Sequence, residues 1–364
     1  MPSYGGPAFS VSRLSSALAE CGISVGLWAA DQSARTTLVL PTESPVRRLI
    51  GTEVEALESF GRVDVLHDNG IWRRHNHQLS KIALQRGIPR IVSTRGMLEP
   101  WAIRHKRWKK QLAWYLYQQR DLVRASCLHT TADTEAQHVR ALGLDVPVCM
   151  IPNGVDIPEM DFEVRHATGG KPARDGRKTA LFLGRIYPVK GVPMLIEAWA
   201  RVRPADWSLQ IAGPDEDGHR AELEKAVTAA GLSRVISFLG PLEGSKKQSS
   251  LFAADLLVLP THSESFGMVI AEALAHGLPV LTTTGAPWSM LQERDCGWWV
   301  DANIDGITEG LRQATSQSRE TLRAMGAGGR ELVAAEFGWP RIAKEFMAIY
   351  EELMSKRELT SDLN

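Results

Sequence analysis

One alternation constrains this chain more than anything else in it. Short apolar runs of strand length alternate with stretches of helical period, and the pattern occurs twice. In the first half the runs are GISVGLW (22–28), VDVLHD (63–68), PRIVST (89–94), SCLHTT (126–131) and VCMIP (148–152). Segments near 8–20, 73–86, 101–124 and 133–142 carry the helical period between them. The second half repeats the rhythm with TALFLG (179–184), WSLQIAG (207–213), VISFLG (235–240), DLLVLP (255–260), LPVLTT (278–283) and GWWV (297–300). Strands that alternate with helices pair in parallel and are covered on both faces. The expectation is an α/β chain of two doubly wound domains. A length of 364 residues agrees, at roughly 150 residues per domain.

The boundary falls in IPNGVDIP (151–158), where Asn-Gly sits between prolines and a polar stretch follows. The first domain is therefore read as residues 1–152 and the second as 153–338. A last helix, about 339–356, carries apolar Ile342, Phe346, Ile349 and Leu353 and is expected to pack back on the first domain.

Charge and cysteine content narrow the function. The net charge is zero, which argues against a whole-surface nucleic-acid binder. Residues 1–155 hold 19 Lys and Arg against 13 Asp and Glu, and residues 156–364 hold 23 against 29. The halves are thus +6 and −6. The four cysteines are scattered and form no CxxC, as in a reducing compartment with no metal framework. No signal pattern opens the chain, and the longest apolar runs are far shorter than the ~20 residues of a membrane span. The reading is a cytoplasmic protein, or one peripheral on the inner face of the plasma membrane.

In doubly wound sheets ligands bind beyond the carboxyl ends of the strands. After the first strand of the second domain comes GRIYPVKG (184–191), where Arg185 and Lys190 flank a strand end and a helix start. Two fixed cations beside helix N–H groups suit a pyrophosphate; a solvated basic loop is the plain alternative. A second loop, PTHSESFGMVIAEALAH (260–276), carries Glu264, then Ser265-Phe266-Gly267, then Glu272 one turn into a helix. Backbone amides of Phe266, Gly267 and Met268 would face a ligand there. Carboxylates repel phosphate but accept hydrogens from hydroxyls, so Glu272 suits a ribose diol and Glu264 a sugar. The plain alternative for a glutamate in a first turn is the helix dipole.

The set IPNGVD (151–156), GRxxxxKG (184–191), AGPD (212–215), FLGPL (238–242) and Glu264-x7-Glu272, in that order, resembles the retaining GT-B glycosyltransferases of group 1. The resemblance runs over nearly the whole chain. HDNGIW (67–72) and STRGMLEPWA (94–102) are similar to the subgroup that builds bacterial surface polysaccharides. It implies a GT-B fold, two Rossmann-like domains facing across a cleft, and a UDP- or GDP-sugar donor with no further cofactor. It implies that Arg185 and Lys190 bind the donor diphosphate, Glu272 the ribose, and Glu264 with the amides of 266–268 the sugar and phosphate. Gly213 and Leu242 would line the base pocket, and the Gly5-Gly6 loop would close over the diphosphate from the other domain. The acceptor would be a hydroxyl on a lipid-linked polysaccharide or lipopolysaccharide, transferred to with retention and without metal. Asp215-Glu216-Asp217 matches D-x-D but sits where a loop enters a helix, a position that favours Asp as a cap.

Many relatives place a histidine where this chain has Arg95, which could bind an acceptor phosphate or orient the sugar. His67 is the other candidate, against the commoner role of a buried structural histidine. A UDP-sugar 2-epimerase shares the architecture but needs no acceptor. A non-catalytic nucleotide-sugar-binding protein would be expected to have lost Arg185, Lys190 and Glu264. Two further features stand apart. Residues 101–124 hold seven Lys and Arg against one acid, with Trp101, Trp108, Leu112, Tyr115 and Leu116 at helical spacing. The aromatics favour a core face, and the charges favour an anionic membrane surface. The opening SYGGPA (3–8) is a glycine loop without the strand that normally aims it, so an upstream strand of about six residues is expected to precede it.

Overall fold

A computed structural model describes residues 6–30, 40, 44–104, 107–159 and 176–361. The chain divides into two units. One comprises residues 1–154 with 338–364, and the other runs from Val155 to Phe337.

The first unit contains β1 (Gly26–Trp28), β2 (Arg47–Leu49), β3 (Leu66–Asn69), β4 (Arg90–Ser93), β5 (Cys127–Thr130) and β6 (Val148–Met150). Strands β3 to β6 pair in parallel in chain order, and β1 pairs in parallel with β2 in a separate sheet. The alternation predicts one sheet here; among the described residues no strand joins the two. All four residues of β4 and of β5 are buried. Successive side chains point to opposite faces, so both faces are covered. β2 was not expected, because Arg47 and Arg48 are exposed and only Leu49 is buried, which leaves no apolar run to read. The helix after it, Glu53–Phe60, starts on a capping box. Thr52 accepts the Glu55 N–H, and Glu55 accepts the Thr52 N–H.

The basic segment read as a single helix over 101–124 is helical in all its described residues through Val123, with a π-helical turn inside it. It forms helices Pro100–Arg104 and Arg107–Ala113, a π-helical turn over Trp114–Gln118, and a last turn, Gln119–Val123. The final helix runs Trp339–Ser361. Its Trp339, Ile342, Ala343 and Phe346 pack with Leu14, Ala17 and Leu18 of the helix Gly6–Glu20, and with Ile151.

The second unit is a six-stranded sheet of β7 (Lys178–Leu183), β8 (Trp207–Ala212), β9 (Ile236–Gly240), β10 (Leu256–Leu259), β11 (Val280–Thr283) and β12 (Gly297–Val300). Its order is β12-β11-β10-β7-β8-β9, parallel throughout. β7, β10 and β11 are buried along almost their whole length, as central strands must be. β9 alternates buried with exposed residues, as an edge strand does. The helix Val192–Val202 buries Val192, Leu195, Ile196 and Trp199, the i, i+3, i+4, i+7 stripe of one face. The chain leaves β7 toward β8 on one side and returns to β10 on the other. Between β7 and β10 lies the topological switch point, where such sheets bind ligands.

Candidate active site

Four loops leave the carboxyl edge of the second unit's sheet side by side, from β10, β7, β8 and β9. Glycines set how closely they approach. Gly213, at φ +150°, lies so near Gly184 that an added Cβ would stand 1.7 Å from its carbonyl oxygen. Ile186 N–H donates to Pro214 O at 2.8 Å, which ties the β7 loop to the β8 loop. Gly191, at φ +67°, brings the start of the helix Val192–Val202 against the end of β10, where a Cβ would meet Pro260 O at 1.9 Å.

Those approaches position the charges. Arg185 extends from the end of β7, half exposed, and one guanidinium nitrogen donates to both oxygens of Glu216 at 3.0 Å. Lys190 ends a 3-10 turn, Pro188–Lys190, and its ammonium donates to Glu264. That pair is nearly buried, at 13% and 15% side-chain exposure. Glu264 is itself fixed by the backbone, since its N–H donates to Gly285 O at 2.8 Å while His262 N–H donates to Val189 O at 2.7 Å. Phe266 N–H, Gly267 and Met268 lead into the helix Met268–Ala275, with Gly267 at φ +82° as its N-cap. The first N–H groups of such a helix have no carbonyl inside it to reach. The Phe266 ring turns inward against Trp288 and Phe337, at 5.5 and 5.6 Å between centroids. Glu272, one turn into the helix, accepts from Lys247 Nζ at 2.6 Å. Leu242 follows β9, half-buried against the core.

Lys247 belongs to the helix Gly244–Ala253 and was not singled out in the sequence. Its only signal is the Lys246-Lys247 pair soon after FLGPL. Asp215, Glu216 and Asp217 do not converge. Asp215 accepts the Arg220 N–H at 3.1 Å, although the N-cap of the helix His219–Ala229 is Gly218 and not an acid, and Glu216 turns to Arg185. Among the described residues no three His, Cys, Asp or Glu side chains come together as metal ligands.

Arg95 lies on the first unit, in the turn after β4, at φ +51°. Its guanidinium donates to Asn69 Oδ1 at 2.6 Å, Asn153 Oδ1 at 2.7 Å and Ser10 Oγ at 3.4 Å. Burial lowers its pKa to about 10. His67 is enclosed in a chain of polar contacts: Nδ1 to Tyr350 OH at 2.7 Å and Nε2 to Ser93 Oγ at 2.7 Å. Ser93 continues to His129 Nδ1 at 2.6 Å, and His129 Nε2 to Ile151 O at 2.8 Å. Burial, and then His129 and Arg95, push His67 well below the usual histidine range. Burial and Arg95 take His129 to about 3. His67 is therefore a neutral ring with both nitrogens engaged. Gly6 opens the helix Gly6–Glu20, and Gly5 lies outside the described residues.

Two family models match the chain: glycosyl transferases group 1 over residues 167–332, and the glycosyl transferase 4-like domain over residues 5–154. The D-inositol 3-phosphate glycosyltransferase of Jonesia denitrificans is 31% identical over 237 residues, 62% of this chain and 54% of that protein. The chain thus spans about half the length of that relative. The lipopolysaccharide core biosynthesis mannosyltransferase LpsB of Rhizobium meliloti is 27% identical over 343 residues, 85% of this chain and 92% of its own. Anabaena Alr3699/HepE, solved in complex with UDP-glucose, superposes with a TM-score of 0.74 at 17% identity over 97% of each chain. That superposition shows the GT-B fold.

Proposed function

We propose that the chain, whose residues 167–332 match the glycosyl transferases group 1 model and residues 5–154 the glycosyl transferase 4-like model, is a retaining transferase of that group. It moves a sugar from a UDP- or GDP-sugar to a hydroxyl of a growing, lipid-linked bacterial polysaccharide or lipopolysaccharide. The observation that carries this reading is the grouping of Arg185, Lys190, Glu264, Glu272 and the start of the helix Met268–Ala275 at one switch point. LpsB, a lipopolysaccharide core mannosyltransferase, supports the acceptor class.

The chemistry follows from charge. The bond between the anomeric carbon and the β-phosphate oxygen breaks through an oxocarbenium-like state, and negative charge grows on the departing diphosphate. Arg185, Lys190 and the helix N–H groups are fixed where that charge develops, so they stabilise the transition state more than the ground state. In this reading they do the work of a metal. Glu272 holds the ribose hydroxyls and Glu264 the sugar. The acceptor oxygen bonds to the anomeric carbon on the face the diphosphate leaves, and its proton passes to a departing phosphate oxygen. Gly213 and Leu242 line the base pocket. Arg95 orients an anionic group of the acceptor or the sugar.

Titration calorimetry with UDP, GDP and their sugar conjugates, in EDTA and then in magnesium, tests the donor. Selective binding in EDTA is expected. The Lys190→Ala variant is expected to lose transfer by about a hundredfold or more, as when one fixed donor to a developing oxyanion is removed. Activity that requires magnesium, or a Lys190→Ala enzyme as fast as the parent, would overturn the reading.

A further inference from the structure

The segment Arg107–Val123 was read in two ways from sequence, and the structure separates them. Its inner face is complete without the residues that seemed to form a core stripe. Trp114 packs on Trp72 at 6.2 Å, and Tyr117 OH donates to Trp72 O at 3.1 Å. Gln118 accepts the Trp72 N–H at 2.8 Å, and Leu122 is fully buried. The stripe itself lies outside: Trp108, Leu112, Tyr115 and Leu116 are 67%, 55%, 82% and 60% exposed. The expectation that these aromatics serve a core is corrected. Within the π-helical turn over Trp114–Gln118, Tyr115 and Leu116 are exposed, Trp114 is half-buried and Gln118 is buried.

The outer face also carries charge of one sign. Lys109, Arg120 and Arg124 are exposed among the apolar residues, and Lys109 lies 5.3 Å over the Trp108 ring. The one acid of the segment, Asp121, is buried and bonded to His77 at 2.7 Å, so it offsets none of that charge at the surface. Fold stability explains neither the apolar exposure nor the charge.

We infer that this face docks on an anionic lipid bilayer. The Trp, Tyr and Leu side chains enter the headgroup boundary, and the cations meet lipid phosphates. A second copy of the chain fits less well, because two such faces would bring like charges together. Among the described residues no helix is long and apolar enough to cross a membrane. The inference does not depend on the transfer chemistry proposed above.

Vesicle flotation tests it without donor or acceptor, using phosphatidylcholine alone and phosphatidylcholine with roughly one-third phosphatidylglycerol. The whole protein is expected to float only with the anionic vesicles and to be released by high salt. Joint Trp108→Ser, Tyr115→Ser and Leu116→Ser replacement is expected to lower partitioning at least about tenfold, with the thermal midpoint and nucleotide binding kept. Lys109→Gln and Arg120→Gln should each cost about fivefold. Equal flotation with neutral vesicles would overturn the inference, and so would no flotation at all. A parent dimer that the triple replacement dissociates, with no change in partitioning, would assign the face to a second copy instead.

Discussion

Each cation of the candidate site already holds a carboxylate, so a diphosphate must compete for it. The Arg185–Glu216 pair is open to solvent, with side chains 52% and 37% exposed, and exposed pairs are worth about 0–1 kcal/mol. Glu216→Gln is therefore expected to tighten UDP binding, by no more than about fivefold. Calorimetry decides it, and unchanged affinity would mean that Glu216 does not compete with the nucleotide. The histidine pair yields a pH dependence. Burial holds His67 and His129 neutral when folded, with His129 at about 3, whereas the unfolded rings take up protons near pH 6.5. Below that pH the unfolded state binds more protons. Their stabilisation is complete above about pH 7 and is lost as pH falls below 6.5, for His129 by about 1.4 kcal/mol per pH unit down toward 3 and for His67 in the same direction. Urea unfolding at pH 7 and pH 5 measures it, and His67→Asn with His129→Asn should flatten the difference. Equal slopes in parent and variant would show that these rings are not the source. The candidate cations and carboxylates were legible in the sequence because each follows a strand end. Lys247 was not, because nothing local marks a lysine whose partner, Glu272, is 25 positions away.

At the scale of elements, the loop after β7 depends on Gly191. Its positive φ and the 1.9 Å approach of a Cβ to Pro260 O leave no room for a side chain. Gly191→Ala is expected to destabilise the protein by more than about 1 kcal/mol, since both strain and overpacking act on backbone that cannot move aside. It should also displace Lys190 and weaken UDP binding. Thermal unfolding and calorimetry check the two effects, and a variant as stable and as tight as the parent would show that the loops can part. Buried strands such as β7 and β10 were legible as continuous apolar runs. β2 was hidden because a short strand with two exposed arginines has no apolar pattern. The π-helical turn inside the basic helix was hidden as well; the Gln118 and Tyr117 side chains in it bond the backbone of Trp72, 46 and 45 positions away.

At the scale of the molecule, the last helix returns to the first unit and closes its core. Phe346, 2% exposed, lies 5.3 Å from the His67 ring and 4.9 Å from His129, between ring centroids. Phe346→Ala is expected to cost about 3–5 kcal/mol by the cavity it leaves. The second unit has its own core, so nucleotide binding there should survive. Calorimetric unfolding with and without UDP tests this; loss of binding together with the first unit's stability would show that the two do not fold independently. The sequence by itself determined the α/β class, the strand ends and the order of the candidate residues along the chain. Those follow from side-chain periodicity and from local glycine and proline chemistry, which need no distant partner. Only the tertiary structure decided that β7 and β10 are neighbours, which carboxylate each cation meets, and which face of 107–123 is left outside. Such facts depend on sheet order and on packing between residues far apart in the chain, and a linear pattern does not carry them.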